Sequence, residues 1–165
     1  MKGYILDTNV LNALIDFRSP HRAEARSRLE KIGSDLIFVS AITLGEIEFG
    51  IAVAPSFRGE ELEEFRRRVK TEFPQTLSVT PTTAEDYGSL RRGLFERFSP
   101  TEARSNSRRV EQLIDPATGD SLGIDENDLW IASQASEMNL TLVSHDRMRR
   151  IGAVSAPNVV IETWF

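Results

Sequence analysis

Four carboxylates stand at the ends of apolar segments spread across the chain: Asp7, Glu46, Asp128 and Asp146. Asp7 closes the run Tyr4-Ile5-Leu6, and Glu46 lies early in a helix-like stretch after Leu36-Ile37-Phe38-Val39. Asp128 opens Leu129-Trp130-Ile131-Ala132, and Asp146 follows Leu140-Thr141-Leu142-Val143. A carboxylate set beside apolar surface is costly unless it is partnered. Several that converge repel one another and are relieved by a cation. A donor set made only of oxygen suits a hard divalent ion such as Mg²⁺. Thr8 and Asn9 follow Asp7, and Ser144 precedes Asp146 by two; such groups can orient carboxylates and metal-bound waters. Each acid also has a local structural use. Asp7 can cap a helix beginning at Thr8, and Asp146 can cap the turn Arg147-Met148-Arg149-Arg150. Glu46 follows Thr43 at capping-box spacing, and Asp128 follows Asp125 likewise. One shared metal site accounts for all four acids more economically than four separate coincidences.

The elements that must position these acids follow from periodicity and punctuation. Strands are expected at residues 4–6, 36–39, 77–79, 141–143 and 158–163. Helices are expected from Thr8 to Phe17, from Arg22 to Ile32 with Gly33 as the stop, and from a Ser40 cap to about Ala54. Further helices run from Glu60 to about Phe73, from a Thr82 or Thr83 cap through Phe98, and from Asp125 to Asn139. Strands alternate with helices almost throughout. That order implies βαβ units, a mostly parallel sheet and helices on both faces. Ligands of such sheets bind outside the carboxyl ends of the strands, where acids distant in sequence can meet. The connection at about 99–124 is the irregular part, with a polar helix-like piece near Ser107 to Ile114. So long a connection in a compact domain is usually functional or mobile.

A chain of 165 residues fits one domain with a sizeable core. It has no cysteine and only two histidines, His21 and His145, which excludes disulfides and thiolate sites and argues against histidine-rich zinc. No apolar run reaches the ~18 residues a membrane helix needs, and no signal-peptide pattern opens the chain, so a cytoplasmic protein without a membrane partner is the expectation. The net charge of −5 argues against simple electrostatic binding of phosphate backbones. Against that, the basic residues are mostly arginine and clustered, at Arg66-Arg67-Arg68, Arg91-Arg92, Arg108-Arg109 and Arg147 with Arg149-Arg150. Arginine suits bidentate phosphate contacts, although each cluster is also compatible with a solvated helix face.

The segments Leu6-Asp7-Thr8-Asn9-Val10 and Asn127-Asp128-Leu129-Trp130-Ile131-Ala132 resemble those of PIN domains, and more narrowly the VapC ribonuclease toxins of type II toxin–antitoxin pairs. Ser40-Ala41-Ile42-Thr43-Leu44-Gly45-Glu46, Leu142-Val143-Ser144-His145-Asp146 and the late Trp164 come in the family's order. The resemblance spans nearly the whole chain and implies a single PIN-like domain over 1–165. The implied fold is a three-layer α/β sandwich with a mostly parallel sheet of four to five strands flanked by helices. It also implies an endoribonuclease dependent on Mg²⁺ or Mn²⁺, with Asp7, Glu46, Asp128 and Asp146 as catalytic, metal-holding residues. A homodimer and a cognate antitoxin that silences the site are implied as partners. The chain departs from the pattern in the connection at about 99–124, read as an insertion, which is longer than these toxins usually have. It departs again at His145, which stands where other polar residues are common and is assigned no catalytic role.

Phosphodiester hydrolysis of RNA would then use a metal to activate water and stabilise developing charge. Arg147, Arg91 and Arg92 are the expected phosphate contacts, because their segments adjoin or approach the acidic end of the sheet. A haloacid-dehalogenase phosphatase would need an aspartate where Asn9 stands. A receiver domain would need a late lysine, whereas the lysines are Lys2, Lys31 and Lys70. A DNA-directed nuclease with the same acids is the nearer alternative. A non-cleaving RNA- or partner-binding PIN-like protein is the rival of another class.

Overall fold

The computed structural model describes residues 2–33, 36–99, 109–145, 148–154 and 159–165. Five strands form one sheet: β1 Gly3–Leu6, β2 Leu36–Ser40, β3 Thr76–Leu77, β4 Thr141–Val143 and β5 Val160–Glu162. Their order is β3-β2-β1-β4-β5, and every pairing is parallel. Leu6 lies between Val39 of β2 and Val143 of β4. Parallel pairs need crossovers, and the helices supply them: α1 Thr8–Ile15, α2 Arg22–Ile32, α3 Ala41–Val53, α4 Gly59–Glu72, α5 Pro81–Phe98, α6 Glu126–Glu137 and α7 Arg149–Gly152.

Both faces of the sheet are covered, so the central strands are apolar at successive positions rather than alternating with polar residues. Tyr4, Leu6, Val39 and Val143 point into a core with Val10, Leu11, Leu14 and Ile15 of α1, Val69 of α4 and Trp164. Ile5 and Leu142 point to the other face, against Leu90, Leu94 and Phe95 of α5 and Leu129, Ile131 and Ala132 of α6. Complete burial of Leu129 supplies roughly 2 kcal/mol of hydrophobic stabilisation. Among the described residues no helix is long and apolar enough to cross a membrane.

Most element boundaries match the sequence expectations, and the differences have local causes. Helix α1 stops at Ile15, because Asp16 is already extended. Phe17, expected inside that helix, is instead exposed between two guanidinium groups, with Arg22 at 4.4 Å and Arg68 at 4.2 Å from its ring centre. Strand β3 sits at Thr76–Leu77 rather than 77–79, leaving Val79 half-exposed ahead of the next helix. The cap of α5 is Thr80, not Thr82 or Thr83. Pro81 takes the first helical position, and Thr80 and Thr83 form a reciprocal capping box, as a proline at that position favours. Helix α6 ends at Glu137, two residues before the expected Asn139. Asn139 takes a positive φ of 51° and turns the chain into β4.

The helix-like piece expected near Ser107 to Ile114 is, where described, a 3₁₀ turn at Val110–Gln112. Residues 100–108 lie outside the described residues. The second half of the long connection is part of the core: Val110, Leu113, Leu122 and Ile124 are all buried. An antiparallel bridge from Ile114 to Ser121 closes it into a tight loop.

Candidate active site

The chain winds β1, β2, β3 outward in one direction, then crosses back to place β4 on the other side of β1. The crevice at the carboxyl ends of β1 and β4 is therefore the switch point where open α/β sheets bind ligands. Asp7 is the first residue beyond β1, and Ser144 the first beyond β4. Helix α3 leaves β2 at the same edge. Helix α6 runs back along the sheet into β4, so its N-terminus lies at that edge as well.

Asp7 occupies the N-cap position of α1, yet its side chain makes no capping hydrogen bond. It is 97% buried, with an exposure of only 3%. The Ser144 hydroxyl donates to its Oδ2 at 3.0 Å and shares the same proton with the His145 carbonyl at 3.0 Å. Burial pushes the Asp7 carboxyl above the ordinary carboxylate range, and the charge of Glu46 adds to that rise. The Ser144 hydroxyl and the Thr8 and Asn9 amides pull it back.

Glu46 is gripped from both sides. The Thr8 hydroxyl donates to Oε2 in a short contact, and the Asn127 amide donates to Oε1 at 2.9 Å. The expected capping box of Thr43 with Glu46 does not form. Ser40 caps α3 by accepting the Ile42 amide, and Thr43 is buried within the helix, 3.4 Å from the Thr8 hydroxyl.

Asp128 does form the capping box: its Oδ2 accepts the Asp125 amide at 2.9 Å, and Asp125 accepts the Asp128 amide. Its carboxyl is pushed up to about 7, first by burial and then by the charges of Asp125, Asp7 and Glu46. The Asp125 amide opposes that rise. Asp7, Glu46 and Asp128 thus feel one another across the crevice. Repulsion between carboxylates in low dielectric is the arrangement that a divalent cation relieves.

Asp146 and Arg147 lie outside the described residues. Among the described residues no three acidic or histidine side chains stand close enough to enclose a cation. The all-oxygen chemistry of Asp7, Glu46 and Asp128 fits a hard cation, while the enclosure they provide is incomplete.

Asn9 is exposed on the first turn of α1. Arg91 donates to the Tyr87 hydroxyl at 2.7 Å and lies 3.4 Å from Glu126, at the start of α6. Tyr87 in turn donates to Glu126 and stacks on Trp130, with ring centres 4.1 Å apart. Arg91 is therefore tethered beside the N-terminus that carries Asp128. Arg92 is exposed and pairs with Glu96 along α5 at 2.7 Å. Asn127 joins the candidate site through Glu46, and the sequence reading did not single it out. Its place directly before Asp128 was the available signal, but its link to Glu46 spans 81 residues.

The PIN domain model matches residues 4–153, so the chain belongs to the PIN domain family. Solved structures agree in fold. VapBC2 from Rickettsia felis, bound to a DNA fragment from their promoter, aligns with a TM-score of 0.70 and 24% identity over 99% of each chain. VapBC from Salmonella typhimurium, also DNA-bound, aligns at 0.66 with 20% identity over 100% of each chain. VapBC-5 of the VapBC toxin–antitoxin family, from Mycobacterium tuberculosis, aligns at 0.61 with 21% identity over 99% of each chain. No curated protein sequence matches the chain.

Proposed function

We propose that this chain is a divalent-cation-dependent endoribonuclease, the toxin half of a VapBC-type toxin–antitoxin pair, acting in the cytoplasm as a single PIN-like domain. The observation that carries the proposal is the gathering of Asp7, Glu46 and Asp128 at the switch point, with Asp7 buried against Ser144 and Glu46 held by Thr8 and Asn127. Asp7, Glu46, Asp128 and Asp146 would hold Mg²⁺, or Mn²⁺ in its place. The cation would supply Lewis acidity for hydrolysis of a phosphodiester and offset the negative charge that otherwise repels RNA. Thr8 and Asn127 fix the orientation of Glu46, and Ser144 fixes Asp7. Such outer partners keep carboxylates ready to ligate. Arg91, released from Glu126 beside the N-terminus of α6, would meet a substrate phosphate, and Arg92 and Arg147 are the further proposed phosphate contacts.

A groove of about 690 Å³ between α1, α3 and α4 runs from Thr8 and Glu46 past Ile47, Ile51 and Phe65. Phe49 and Val53 of α3 and Phe57 of the turn that follows are exposed, at 69%, 62% and 84%. Large apolar surface of this kind marks protein contacts. It supports an antitoxin reaching the acids along the groove, and a homodimer formed through the same side of the molecule. A second reading, in which the acidic crevice only receives a basic partner segment, draws on the same exposed apolar side chains.

The test is incubation of the purified protein with mixed cellular RNA, and in parallel with DNA, under Mg²⁺, Mn²⁺ or chelator. Discrete RNA fragments that need both the cation and Asp128 are expected, with Asp128→Asn inactive. Equal cleavage by Asp128→Asn would place the chemistry elsewhere. Cleavage of DNA in preference to RNA would change the substrate, and no cleavage by folded, cation-loaded protein would favour the partner-binding reading.

A further inference from the structure

A second concavity, of about 550 Å³, adjoins the apolar groove, with which it shares Asn12, Asp16 and Arg18. Its wall includes Asn9, Asn12, His21, His145 and Phe165. Three of these form a ring cluster. The Phe165 ring lies nearly parallel to both imidazoles, 4.7 Å and 15° from His21, 5.2 Å and 20° from His145. The two imidazoles are 6.1 Å apart, so they lie side by side under Phe165 rather than on opposite faces of it. The His145 ring is steadied by a 3.2 Å contact between its Nδ1 and the Phe165 carbonyl. Both histidines remain exposed.

We infer that this concavity is a nucleobase subsite, in which an unpaired base of the RNA stacks on the His21–Phe165–His145 rings and is read by the Asn9 and Asn12 side chains. The inference rests on the ribonuclease reading for the identity of the substrate. Three observations converge on it. First, single-stranded RNA is recognised by splaying bases onto aromatic or histidine faces and hydrogen-bonding their edges. A stacked ring cluster beside two primary amides offers both functions. Second, the subsite adjoins the acids: Asn9 is two residues beyond Asp7, and the Ser144 hydroxyl that holds Asp7 also contacts the His145 carbonyl. A nucleotide beside a scissile phosphate at Asp7 would bring its base here. Third, the cation on this wall, Arg18, is already paired with Asp16 and Glu61. The pocket is thus suited to stacking and amide contacts more than to phosphate capture. The rings also fasten the C-terminal segment to the α1–α2 junction, but that role does not require two solvent-facing amides beside them.

The test compares affinities for a decaadenylate RNA and for the same ribose-phosphate backbone lacking bases. It uses full-length Asp128→Asn protein with Mg²⁺, so that no strand is cut. His21→Ala in this background is expected to lower the ratio of the two affinities by roughly ten-fold, within the range that base stacking commands. His21→Phe, which keeps a flat ring, is expected to retain it. Because the increment comes from stacking, the ratio should hardly change with salt, while both individual affinities fall. His21 carries an exposed side chain that makes no capping bond to α2 but stacks on Phe165, so the thermal melt of each variant is measured beside the ratio and should be unchanged. An unchanged ratio in His21→Ala would overturn the subsite, as would its loss in His21→Phe with the fold preserved, or equal binding of both strands by the unsubstituted platform. Cleavage of mixed RNA by the wild-type protein, measured alongside, decides the ribonuclease reading separately.

Discussion

In the metal-free protein, Asp128→Asn should stabilise the fold at pH 8 and do little at pH 4, although it removes a residue expected to be essential for activity. The Asp128 carboxyl ordinarily titrates at 3.8 and is pushed up to about 7 in the fold, by burial and then by neighbouring acids. Between those two values the unfolded chain has released its proton and the folded chain still holds it. The folded state therefore binds more protons, and stability falls as pH rises through this window, levelling off above about 7. A gap of about three pH units at roughly 1.36 kcal/mol each gives an upper bound of roughly 4 kcal/mol for the full loss. From pH 5 to pH 8 the share is roughly 2–3 kcal/mol, or about 4–12 °C in Tm for a domain of this size. Asparagine keeps an oxygen to accept the Asp125 amide and carries no charge, so the variant should lack this component of the pH dependence. The assay is urea denaturation of both proteins in chelator at pH 4, 5, 6, 7 and 8. The quantity of interest is their difference, which cancels the titrating groups that are not coupled to Asp128. Adding Mg²⁺ should raise the wild type at pH 8 and narrow the gap, because cation binding to the ionised site stabilises the folded state. A variant-minus-wild-type difference that stays constant from pH 4 to pH 8 would refute the electrostatic reasoning at this site.

Other perturbations separate orientation from packing. Ser144→Ala removes the hydroxyl that holds Asp7, so the Asp7 carboxyl should rise further in pKa. A Mg²⁺ titration of RNA cleavage should then show a requirement about 10–100-fold higher, the usual effect of losing a ligand's outer partner. Asn127→Ala frees one oxygen of Glu46 and should lower cleavage by a similar factor of about 10–100, with an unchanged circular-dichroism melt distinguishing it from unfolding. Leu129→Ala, at a fully buried position on α6, should cost about 2–5 kcal/mol in urea denaturation; a smaller loss would mean that α6 packs less tightly than its burial indicates.

The alternating elements were legible because their signals are local. Ser40 and Asp125 cap helices that follow directly, and Gly33 ends α2 with a positive φ of 66°. What escaped depends on contacts made only in three dimensions. Phe17 continues the apolar spacing of α1, but its ring finds Arg22 and Arg68, the latter 51 residues away in sequence. Leu113, Leu122 and Ile124 enter the core from an irregular loop, where no period announces them. Strand β3 is an edge strand of two residues, too short for alternation to set its limits.

The site shows the same division in sharper form. A carboxylate just before a helix is ambiguous in sequence, since capping and ligation place the same residue types at the same spacing. The structure distinguishes them by what each side chain touches. Asp125 accepts the Asp128 amide as an ordinary cap does. Asp7 holds an equivalent position but makes no capping bond, and is instead buried and held by Ser144 from across the sheet. Glu46 is fixed by Thr8 and Asn127, groups from two other elements, neither of them a cation. Neutral donors orient a carboxylate without neutralising it. A protein that needed these acids only for stability would gain more by pairing them with arginine, as it does for Glu72 with Arg26 and Arg68. Holding Asp7 and Glu46 with neutral donors, and burying Asp128 beside them, is a stability cost that has a physical sense if the proposed cation binds there.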